Sequence, residues 1–365
     1  GRALVLVLVA CPCALLMAAP VAVVAAVGNA SRNGVVVRTA GALEAAGMVD
    51  AIGFDKTGTL THGTLDVVDV KDIPGADATA PDLLRLAAAV ESRSEHPVAV
   101  AIVRAAGLTS QDTVKVDHFQ SVAGAGVVAT VDGRDMAVGR ADWIASLGAA
   151  VDPITASHSQ QEATGRRAVL VAMTDGPETT WRVAGIITVA DHVRSEAQKA
   201  IAAVRARGVR VIQLISGDAE PAAVAVAARV GIETADVRAA LLPEGKVDAV
   251  RALRSRPGVR AVAMVGDGIN DAPALAAADV GIAMGVGSAA IARDLADVTV
   301  VADDLRRVSW FLDLAVRTRR TIITNVALAL GIKLVVLVLA TFGFANLWLA
   351  IAADTGATTA VLWKP

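Results

Sequence analysis

The residues Asp55–Thr59 form a polar string, Asp-Lys-Thr-Gly-Thr, that directly follows the apolar run Val49–Phe54. The run predicts a buried strand that delivers Asp55 to its carboxyl end, where open α/β sheets place their chemistry. A carboxylate at that position can attack a phosphoryl group and become an aspartyl phosphate. Gly58 permits a tight turn, and Thr57 offers a hydroxyl and backbone groups to phosphate oxygens. The string therefore predicts covalent phosphoryl transfer at Asp55.

Three later polar strings repeat this logic at the ends of other predicted elements. They are Ser216-Gly217-Asp218 after Val209–Ile215, Lys246 at the start of the predicted helix Pro243–Arg256, and residues 266–273, with Asp267, Asn270 and Asp271, after Ala261–Val265. A hydroxyl can bind phosphate oxygens, and a lysine can neutralise phosphoryl charge. Paired carboxylates such as Asp55 and Asp267, together with a phosphate, are ligands that suit Mg²⁺.

Short apolar runs alternate with amphipathic stretches through the polar middle of the chain, which is the βα pattern of a parallel sheet. Ala184–Val189 and Arg194–Arg207 are predicted as a strand and a helix of that sheet. Asp55 follows the first strand of the same sheet, and about 125 residues lie between that strand and the next predicted strands of the sheet. These residues have strand signals of their own, Val127–Val131 and Val169–Met173, and predict an inserted domain.

Both ends of the chain are strongly apolar. Residues 3–27 contain no charged side chain, residues 321–342 contain only Lys333, and residues 344–363 contain only Asp354. Each run is long enough to span a bilayer, so three runs around a polar middle favour a membrane protein over buried core helices. Basic residues lie on the side of the polar middle, which the positive-inside tendency places in the cytoplasm. They are Arg32, Arg38, Arg317, Arg319, Arg320 and Lys364.

Cys11 and Cys13, the only two cysteines, flank Pro12 inside the first apolar run. Residues two apart on a regular helix point to nearly opposite sides, but a proline distorts the helix and can let both sulfurs face one ion. This arrangement favours metal ligation over two apolar core cysteines, and the short spacing disfavours a disulfide. Thiolates accept Cu(I), Zn(II) and Cd(II).

Lys333 and Asp354 bear on the choice of metal. A charge within a span costs at least ~2.5 kcal/mol, and such residues usually pair or line an ion path. The carboxylate of Asp354 is a harder ligand that suits a divalent ion, and Lys333 could neutralise the site after the ion has left.

The overall charge is nearly balanced, with 34 Lys and Arg against 36 Asp and Glu, so composition gives no case for nucleic acid binding.

The phosphoryl-transfer strings resemble the phosphorylation-domain signatures of P-type ATPases, which belong to the haloacid-dehalogenase-like superfamily. Ser216 stands where the family usually has Thr, and the hydroxyl is kept. The resemblance implies that Asp55 is the phosphorylated nucleophile and that Asp55, the Thr57 carbonyl and Asp267 hold Mg²⁺. It also implies a set of residues that contact the phosphoryl group or support the site: Lys246, Ser216, Gly217, Asp218, Asn270 and Asp271.

The inserted segment resembles the nucleotide domain of the heavy-metal branch of this family. Ser94-Glu95-His96-Pro97 resembles its signature, and Gly124-Ala125-Gly126 resembles its glycine pair. The resemblance implies that adenine binds near His96, with Glu91, Gly124 and Gly126 around the nucleotide. It therefore implies ATP as the phosphoryl donor.

The membrane segments resemble the same branch. Cys-Pro-Cys at 11–13 is similar to the heavy-metal signature, and Leu347–Ala357 with Lys333 is similar to the zinc, cadmium and lead exporters. The copper branch would be expected to have Tyr-Asn and Met-Ser signatures, and this chain has no Tyr. The resemblance implies export of Zn²⁺, Cd²⁺ or Pb²⁺ through Cys11, Cys13 and Asp354. A Cu(I) exporter is the alternative, and cytosolic metal donors stay open.

The expected fold is α/β plus transmembrane α: a Rossmann-like (haloacid-dehalogenase-like) phosphorylation domain with an inserted α+β nucleotide-binding domain, flanked by transmembrane helices. Both soluble domains are expected in the cytoplasm and the helices in the cell membrane, in a multi-pass arrangement. The upstream helices and the actuator domain of full family members are not in this sequence, so we expect a fragment of a longer pump. The predicted segments are transmembrane helices at 3–27, 321–342 and 344–363, the phosphorylation domain at 45–61 and 184–305, and the nucleotide-binding domain at 62–183.

Two other classes of protein are less favoured. A membrane-anchored phosphatase of the same superfamily would generally have a second Asp two residues after the nucleophile, and this chain has Thr57 there. A non-catalytic metal-binding membrane protein would have no need of four phosphoryl-transfer strings. The sequence therefore favours an ATP-driven heavy-metal exporter.

Overall fold

A computed structural model describes residues 13–73, 78–107, 114–151, 166–174, 180–267, 271–285, 296–342, 344 and 347–363. The chain divides into two compact units. The first unit contains residues 1–55, 196–215 and 241–365, and the second contains residues 56–195 and 216–240. Each unit is therefore built from segments that are distant in sequence.

The elements are numbered in chain order. The strands are β1 (Val35–Val37), β2 (Val49–Phe54), β3 (Thr61–Asp72), β4 (Val116–Val122), β5 (Gly126–Val131), β6 (Arg134–Gly139), β7 (Arg167–Thr174), β8 (Trp181–Val193), β9 (Val211–Ile215), β10 (Val237–Arg238), β11 (Ala261–Gly266), β12 (Val280–Met284) and β13 (Val298–Val300). The helices are α1 (Cys13–Arg32), α2 (Ala40–Ala46), α3 (Ala80–Glu91), α4 (Pro97–Ala106), α5 (Ala141–Ser146), α6 (Ala197–Ala206), α7 (Glu220–Val230), α8 (Pro243–Arg254), α9 (Ala272–Ala277), α10 (Arg306–Thr341) and α11 (Leu347–Trp363).

The first unit is built on a sheet whose strands lie in the order β1-β13-β12-β11-β2-β9. The pairs from β13 to β9 are parallel, and β1 is antiparallel to β13. The residues of β11, β12 and β13 are buried throughout, as expected for parallel strands that are covered on both faces. This sheet confirms the predicted parallel arrangement, and it brings the ends of β2 and β11 side by side.

Two of the described helices, α1 and α10, are long and apolar enough to cross a membrane. The 17 residues of α11 extend about 25 Å, a little less than the hydrocarbon core of a bilayer. These three helices contact one another. Residues 1–12, which include most of the cysteine string of the first predicted span, lie outside the described part of the chain.

Helices α1 and α10 are joined closely to the sheet of the first unit. Helix α1 ends two residues before β1 begins, and α10 begins five residues after β13 ends. The pairing of β1 with β13 therefore puts both junctions at the same sheet edge. Arg307, in the first turn of α10, donates a hydrogen bond to the Asn33 side chain, 3.3 Å away, just beyond α1.

The second unit contains an antiparallel sheet in the order β3-β8-β7-β6-β5-β4. Helices α3 and α4 pack on one face over a core that includes Leu83, Ile102 and Ile187. A second cluster, which includes Ile144 of α5, Leu170 and Ile186, covers part of the other face. The inserted segment therefore has a core of its own.

The structure contradicts one predicted strand. Ala184–Val189 lies in β8, which pairs antiparallel with β3 and β7, and not in the parallel sheet. A continuous apolar run is typical of a strand that is buried on both faces, and β8 has Ile187 in one core and Ile186 in the other. The predicted boundary between residues 183 and 184 thus falls inside one strand. The helix predicted at 194–207 is observed at Ala197–Ala206.

Candidate active site

Asp55 lies at the carboxyl end of β2, as the sequence predicts. Its backbone N–H donates to the carbonyl of Val265 at 2.8 Å, which extends the pairing of β2 with β11 by one residue. The side chain is buried, with 4% of the residue exposed. Because β2 and β11 are parallel neighbours, Asp55 and Asp267 follow strands that end at the same edge of the sheet.

Lys246 connects two buried carboxylates. Its Nζ donates to Asp55 Oδ1 at 2.7 Å and to Asp271 Oδ1 at 2.5 Å. Lys246 comes from the first turn of α8, and Asp271 directly precedes α9. The structure thus brings together three of the predicted site residues from three separate stretches of the chain.

Gly266 makes this approach possible. A Cβ on Gly266 would lie 2.6 Å from Asp271 Oδ2, closer than real Cβ contacts allow. Any other residue at the end of β11 would displace the Asp271 carboxylate from Lys246. Gly266 was not among the residues predicted for the site, although a glycine between an apolar strand and a carboxylate string was a signal for close packing.

The charges of this cluster shift its pKa values. Burial, and next the negative charge of Asp271, raise the pKa of Asp55 to about 7, although Lys246 opposes the rise. Burial alone would lower the pKa of Lys246, but the charges and hydrogen bonds of Asp55 and Asp271 outweigh it and raise that pKa. Asp267 adds a further raising effect on Asp55. The cluster therefore contains more carboxyl groups, those of Asp55, Asp267 and Asp271, than ammonium groups, of which Lys246 supplies one.

This surplus of carboxylate is chemically suited to Mg²⁺. The ion takes one or two carboxylates and completes its shell with phosphate oxygens and water. Among the residues that the structure describes, no group of three or more His, Cys, Asp and Glu side chains forms a metal site. Asp55 and Asp267, which follow neighbouring parallel strands, fit a cation that is bound jointly with phosphate. Asn270 lies outside the described residues.

In the second unit, Lys56 and Thr57, the two residues that follow Asp55, contact the Asp218 carboxylate. Asp218 Oδ2 accepts from Thr57 Oγ1 at 3.0 Å and from Ser216 Oγ at 3.0 Å, and Lys56 Nζ lies 2.9 Å away. Ser216 Oγ also accepts from the Asp218 N–H at 3.1 Å, across Gly217. Burial would raise the pKa of Asp218, but the bonds from Lys56, Thr57 and Ser216 outweigh it and hold the pKa below its ordinary value.

Two further residues that the sequence analysis did not single out hold this loop. Arg194, 4% exposed, donates from Nε to the Thr61 carbonyl at 3.1 Å and from Nη2 to the Gly58 carbonyl at 3.2 Å. Asp191 Oδ2 accepts from Thr61 Oγ1 at 2.5 Å. Gly58 has φ +73°, which explains the need for glycine in the turn. The sequence signal for a role of Asp191 and Arg194 was the occurrence of two opposite charges at the end of an apolar strand.

The second unit also has a cavity of about 770 Å³ that brings together the residues predicted to bind nucleotide. Its lining includes Glu91, Ser94, His96, Gly124, Gly126, Arg140 and Arg167. His96 caps α4, because its Nδ1 accepts from the Val98 N–H at 3.3 Å. With Nδ1 used as an acceptor, a neutral His96 holds its proton on Nε2 and can donate from there. Burial raises the pKa of Glu91 to about 7, against a hydrogen bond from Ser94 that lowers it.

The two glycines of this cavity are needed for different reasons. Gly124 has φ +73° and no neighbour within 4 Å of a built Cβ, so its turn conformation requires glycine. A Cβ on Gly126 would lie 2.3 Å from the Val138 carbonyl and 2.6 Å from the Trp143 ring. Gly126 therefore permits the contact between β5 and β6 under that ring, and a role in nucleotide approach stays a prediction.

In the apolar helices, Lys333 Nζ lies 3.6 Å from Asp354 Oδ1. A small pocket beside them is lined with apolar residues of α10 and α11, among them Ile332 and Ala353. The Oδ1 atom is buried and accepts no hydrogen bond from the described residues. Cys13 is the first residue of α1, and Cys11 lies outside the described residues. Lys333 and Asp354, which the sequence singles out together, thus lie within ion-pair distance, and the role of Lys333 as a charge partner of a metal site stays a prediction.

Residues 49–279 match the family described as haloacid dehalogenase-like hydrolase, and the chain belongs to that family. The chain is 43% identical over 346 residues to a copper-exporting P-type ATPase of Mycobacterium tuberculosis, covering 95% of this chain and 43% of that protein. It is 35% identical over 363 residues to a probable cadmium-transporting ATPase of Staphylococcus aureus, covering 99% of this chain and 49% of that protein. The chain therefore spans about half the length of these curated relatives.

The fold is similar to a crystal structure of a zinc-transporting PIB-type ATPase in the E2.Pi state. The TM-score is 0.87 at 37% identity, and the match covers 100% of this chain and 57% of that chain. The resemblance to heavy-metal P-type ATPases is confirmed by these relatives, and so is the predicted fold class. The names of the relatives divide between copper, cadmium and zinc.

Proposed function

We propose that this chain performs the phosphoryl transfer of an ATP-driven exporter of divalent heavy-metal cations. The observation that carries the proposal is a buried Asp55 at a strand end, hydrogen-bonded to Lys246 beside Asp271. Membership in the haloacid dehalogenase-like family and P-type ATPase relatives support it. Transport belongs to the whole protein, for which the apolar helices α1, α10 and α11 would supply membrane spans.

In the proposed reaction, a carboxylate oxygen of Asp55 attacks the γ-phosphorus of ATP, and the bond from that phosphorus to the bridging oxygen breaks to release ADP. Lys246 stabilises the negative charge of the phosphoryl oxygens, and the hydrogen bond that Lys246 donates to Asp55 orients the carboxylate. Mg²⁺ held by Asp55, the Thr57 carbonyl and Asp267 would neutralise charge on the phosphates. Water then hydrolyses the aspartyl phosphate.

The other predicted residues have assigned roles in this scheme. Asp271 holds Lys246, and Asn270 supports the site from the same string. Ser216 offers its hydroxyl to the phosphoryl group in exchange for its bond to Asp218, and Gly217 offers its backbone N–H, while Asp218 holds the turn through its N–H bond to Ser216. In the cavity, adenine binds beside Glu91 and His96, and the Nε2–H of His96 donates to a nitrogen of the adenine ring. Gly124 and Gly126 border the nucleotide. The volume of about 770 Å³ supports a ligand of this size.

The proposed transport site consists of Cys11, Cys13 and Asp354, and the transported ion is Zn²⁺, Cd²⁺ or Pb²⁺. The 3.6 Å pair of Lys333 and Asp354 supports this choice, because a carboxylate suits a divalent ion better than Cu(I). When the ion leaves, Lys333 neutralises Asp354. An ion pair of this kind avoids leaving one charge alone in an apolar bundle.

A second candidate is Cu(I) export. One observation favours it, namely the 43% identity to the copper-exporting relative, against 35% to the cadmium-transporting one. The two candidates share the phosphoryl-transfer site and differ in the role of Asp354. A Cu(I) site of two thiolates would not need the carboxylate.

Phosphoenzyme formation tests the chemistry. The chain in detergent is incubated with Mg²⁺ and ATP labelled at the γ-phosphate and then quenched in acid. We expect acid-stable label that hydroxylamine releases, and no label in Asp55→Asn. An exposed matched control, Asp248→Asn on α8, should label like the wild type. Label that persists in Asp55→Asn would contradict the proposal.

Metal-stimulated ATP hydrolysis by the full-length gene product in lipid vesicles tests the cargo. We expect stimulation by Zn²⁺, Cd²⁺ and Pb²⁺ that is lost in Asp354→Ala. Stimulation by Cu(I) alone, unchanged in Asp354→Ala, would support the copper candidate and refute the divalent one. Thr359→Ala, at an exposed position of the same helix, is the control variant for Asp354→Ala.

A further inference from the structure

Arg167, the first residue of β7, lines the same cavity as Glu91 and His96 but has no role in the reaction proposed so far. Its side chain is 64% exposed. Arginine presents five N–H donors in a planar fork that matches phosphate oxygens. A cation in this position on the lining of a cavity is therefore available to an anionic part of a ligand.

The only ion pair that the structure gives Arg167 among the described residues is long. Arg167 Nη2 lies 3.9 Å from Asp218 Oδ1, beyond hydrogen-bond distance. Asp218 has closer partners, because its Oδ2 accepts from Thr57 and Ser216 and lies 2.9 Å from Lys56. Arg167 can therefore move away from Asp218 without leaving that carboxylate unpaired.

Arg140 provides a contrast within the same cavity. It is also two-thirds exposed, but its Nε and Nη2 donate to the two oxygens of Asp142 at 3.1 and 2.8 Å. This bidentate pair satisfies the Arg140 fork and neutralises its charge. Of these two cations on the cavity lining, Arg167 is the one whose donors have no such bidentate partner among the residues that the structure describes.

We propose that Arg167 binds the β- and γ-phosphates of the nucleotide in this cavity, exchanging its long contact with Asp218 for hydrogen bonds to phosphate. The inference rests on the proposed function, since it takes ATP as the phosphoryl donor. It adds that the contact of Arg167 with Asp218 links the cavity to the loop of Lys56 and Thr57, which directly follows the nucleophile. Arrival of the phosphates thus releases one contact to the carboxylate that organises that loop.

A ligand series tests the assignment. Binding of adenosine, AMP, ADP and the non-hydrolysable analogue AMP-PCP is measured by equilibrium dialysis on the full chain in detergent. We expect Arg167→Ala to weaken ADP and AMP-PCP about tenfold, as for a lost charge-assisted hydrogen bond, with adenosine and AMP nearly unchanged. Retained adenosine binding also shows that the cavity is folded. Arg167→Lys should recover part of the loss, because the charge remains.

Arg140→Ala is the matched variant, since it removes the same charge from the same cavity. We expect it to weaken AMP-PCP less than Arg167→Ala does. The inference is overturned if Arg167→Ala binds all four ligands like the wild type, if it weakens all four equally, or if the two alanine variants lose AMP-PCP binding to the same extent. A wild-type chain that binds none of the four would instead overturn the proposed function, and this inference with it.

Discussion

Replacement of Lys246 by methionine should destabilise the first unit strongly. At 2.7 Å from Asp55 and 2.5 Å from Asp271, the ammonium attracts each carboxylate by about 6 kcal/mol at an effective dielectric constant of about 20. The cost of burying the lysine offsets part of this attraction. Removing one partner of a buried charged group typically costs about 3–5 kcal/mol, so Lys246→Met should lower the free energy of unfolding by that amount at pH 8.

The loss should shrink as the pH falls. Lys246 lowers the pKa of Asp55 in the wild type, so without it burial and the negative charge of Asp271 raise that pKa further, and the folded state binds a proton that the unfolded state does not. The stability of the variant therefore increases as the pH falls below the folded pKa of Asp55, and at pH 5 the Asp55 carboxyl group is largely neutral. Unfolding should thus be less affected in acid than at pH 8.

Hydrogen–deuterium exchange of the β2 and β11 amides in increasing urea measures this free energy within the first unit. Lys199→Met, on the exposed face of α6 in the same unit, is the matched control and should change it by less than about 0.5 kcal/mol. A Lys246→Met variant as stable as Lys199→Met at pH 8, or equally destabilised at pH 5 and pH 8, would refute the argument that this lysine compensates buried carboxylates.

Two further outcomes follow from the site. Gly266→Ala should lower phosphoenzyme formation at least about tenfold while the chain stays folded, because the new Cβ displaces Asp271; Gly245→Ala, whose Cβ meets Leu241 at an ordinary 3.4 Å, should not. Burial raises the pKa of Glu91 from 4.5 to about 7, so the wild type loses stability as the pH rises between those values. Glu91→Gln should therefore be more stable than the wild type at pH 8, by up to about 3 kcal/mol, and similar to it near pH 4.5, as measured by urea unfolding. If the difference in stability between Glu91→Gln and the wild type were the same at pH 4.5 and pH 8, the raised pKa of Glu91 would be contradicted.

The sequence predicted those parts of the site that depend on one element. The run Val49–Phe54 has the length and composition of a buried parallel strand, so the position of Asp55 at its end followed directly. The next strand of the sheet in space, β11, was also recognisable from its apolar residues. Since both strands end in carboxylate strings, the approach of Asp267 to Asp55 could be expected from topology alone.

The contacts between distant segments could not be predicted in the same way. Lys246 meets Asp55 across 191 residues and Thr57 meets Asp218 across 161, and no local pattern indicates which oxygen receives which donor. Strand β8 was assigned to the wrong sheet because a strand buried on both faces has no alternation to reveal its pairing. Arg167 was missed because an exposed arginine at a strand start resembles any solvated one, and its position over a cavity depends on the fold.

The short junctions between α1, α10 and the edge of the parallel sheet have a mechanical consequence. With so few residues in either connection, there is little slack to absorb a rotation of the sheet. Lys333 lies 27 residues beyond Arg306 in an unbroken helix, or about 40 Å, so a tilt of about 5° at the sheet moves Lys333 by about 3.5 Å. That displacement is comparable to the 3.6 Å that separates Lys333 from Asp354. Through the long helix, a small change of angle at the β1–β13 edge of the sheet would therefore displace Lys333 by about the length of its ion pair with Asp354.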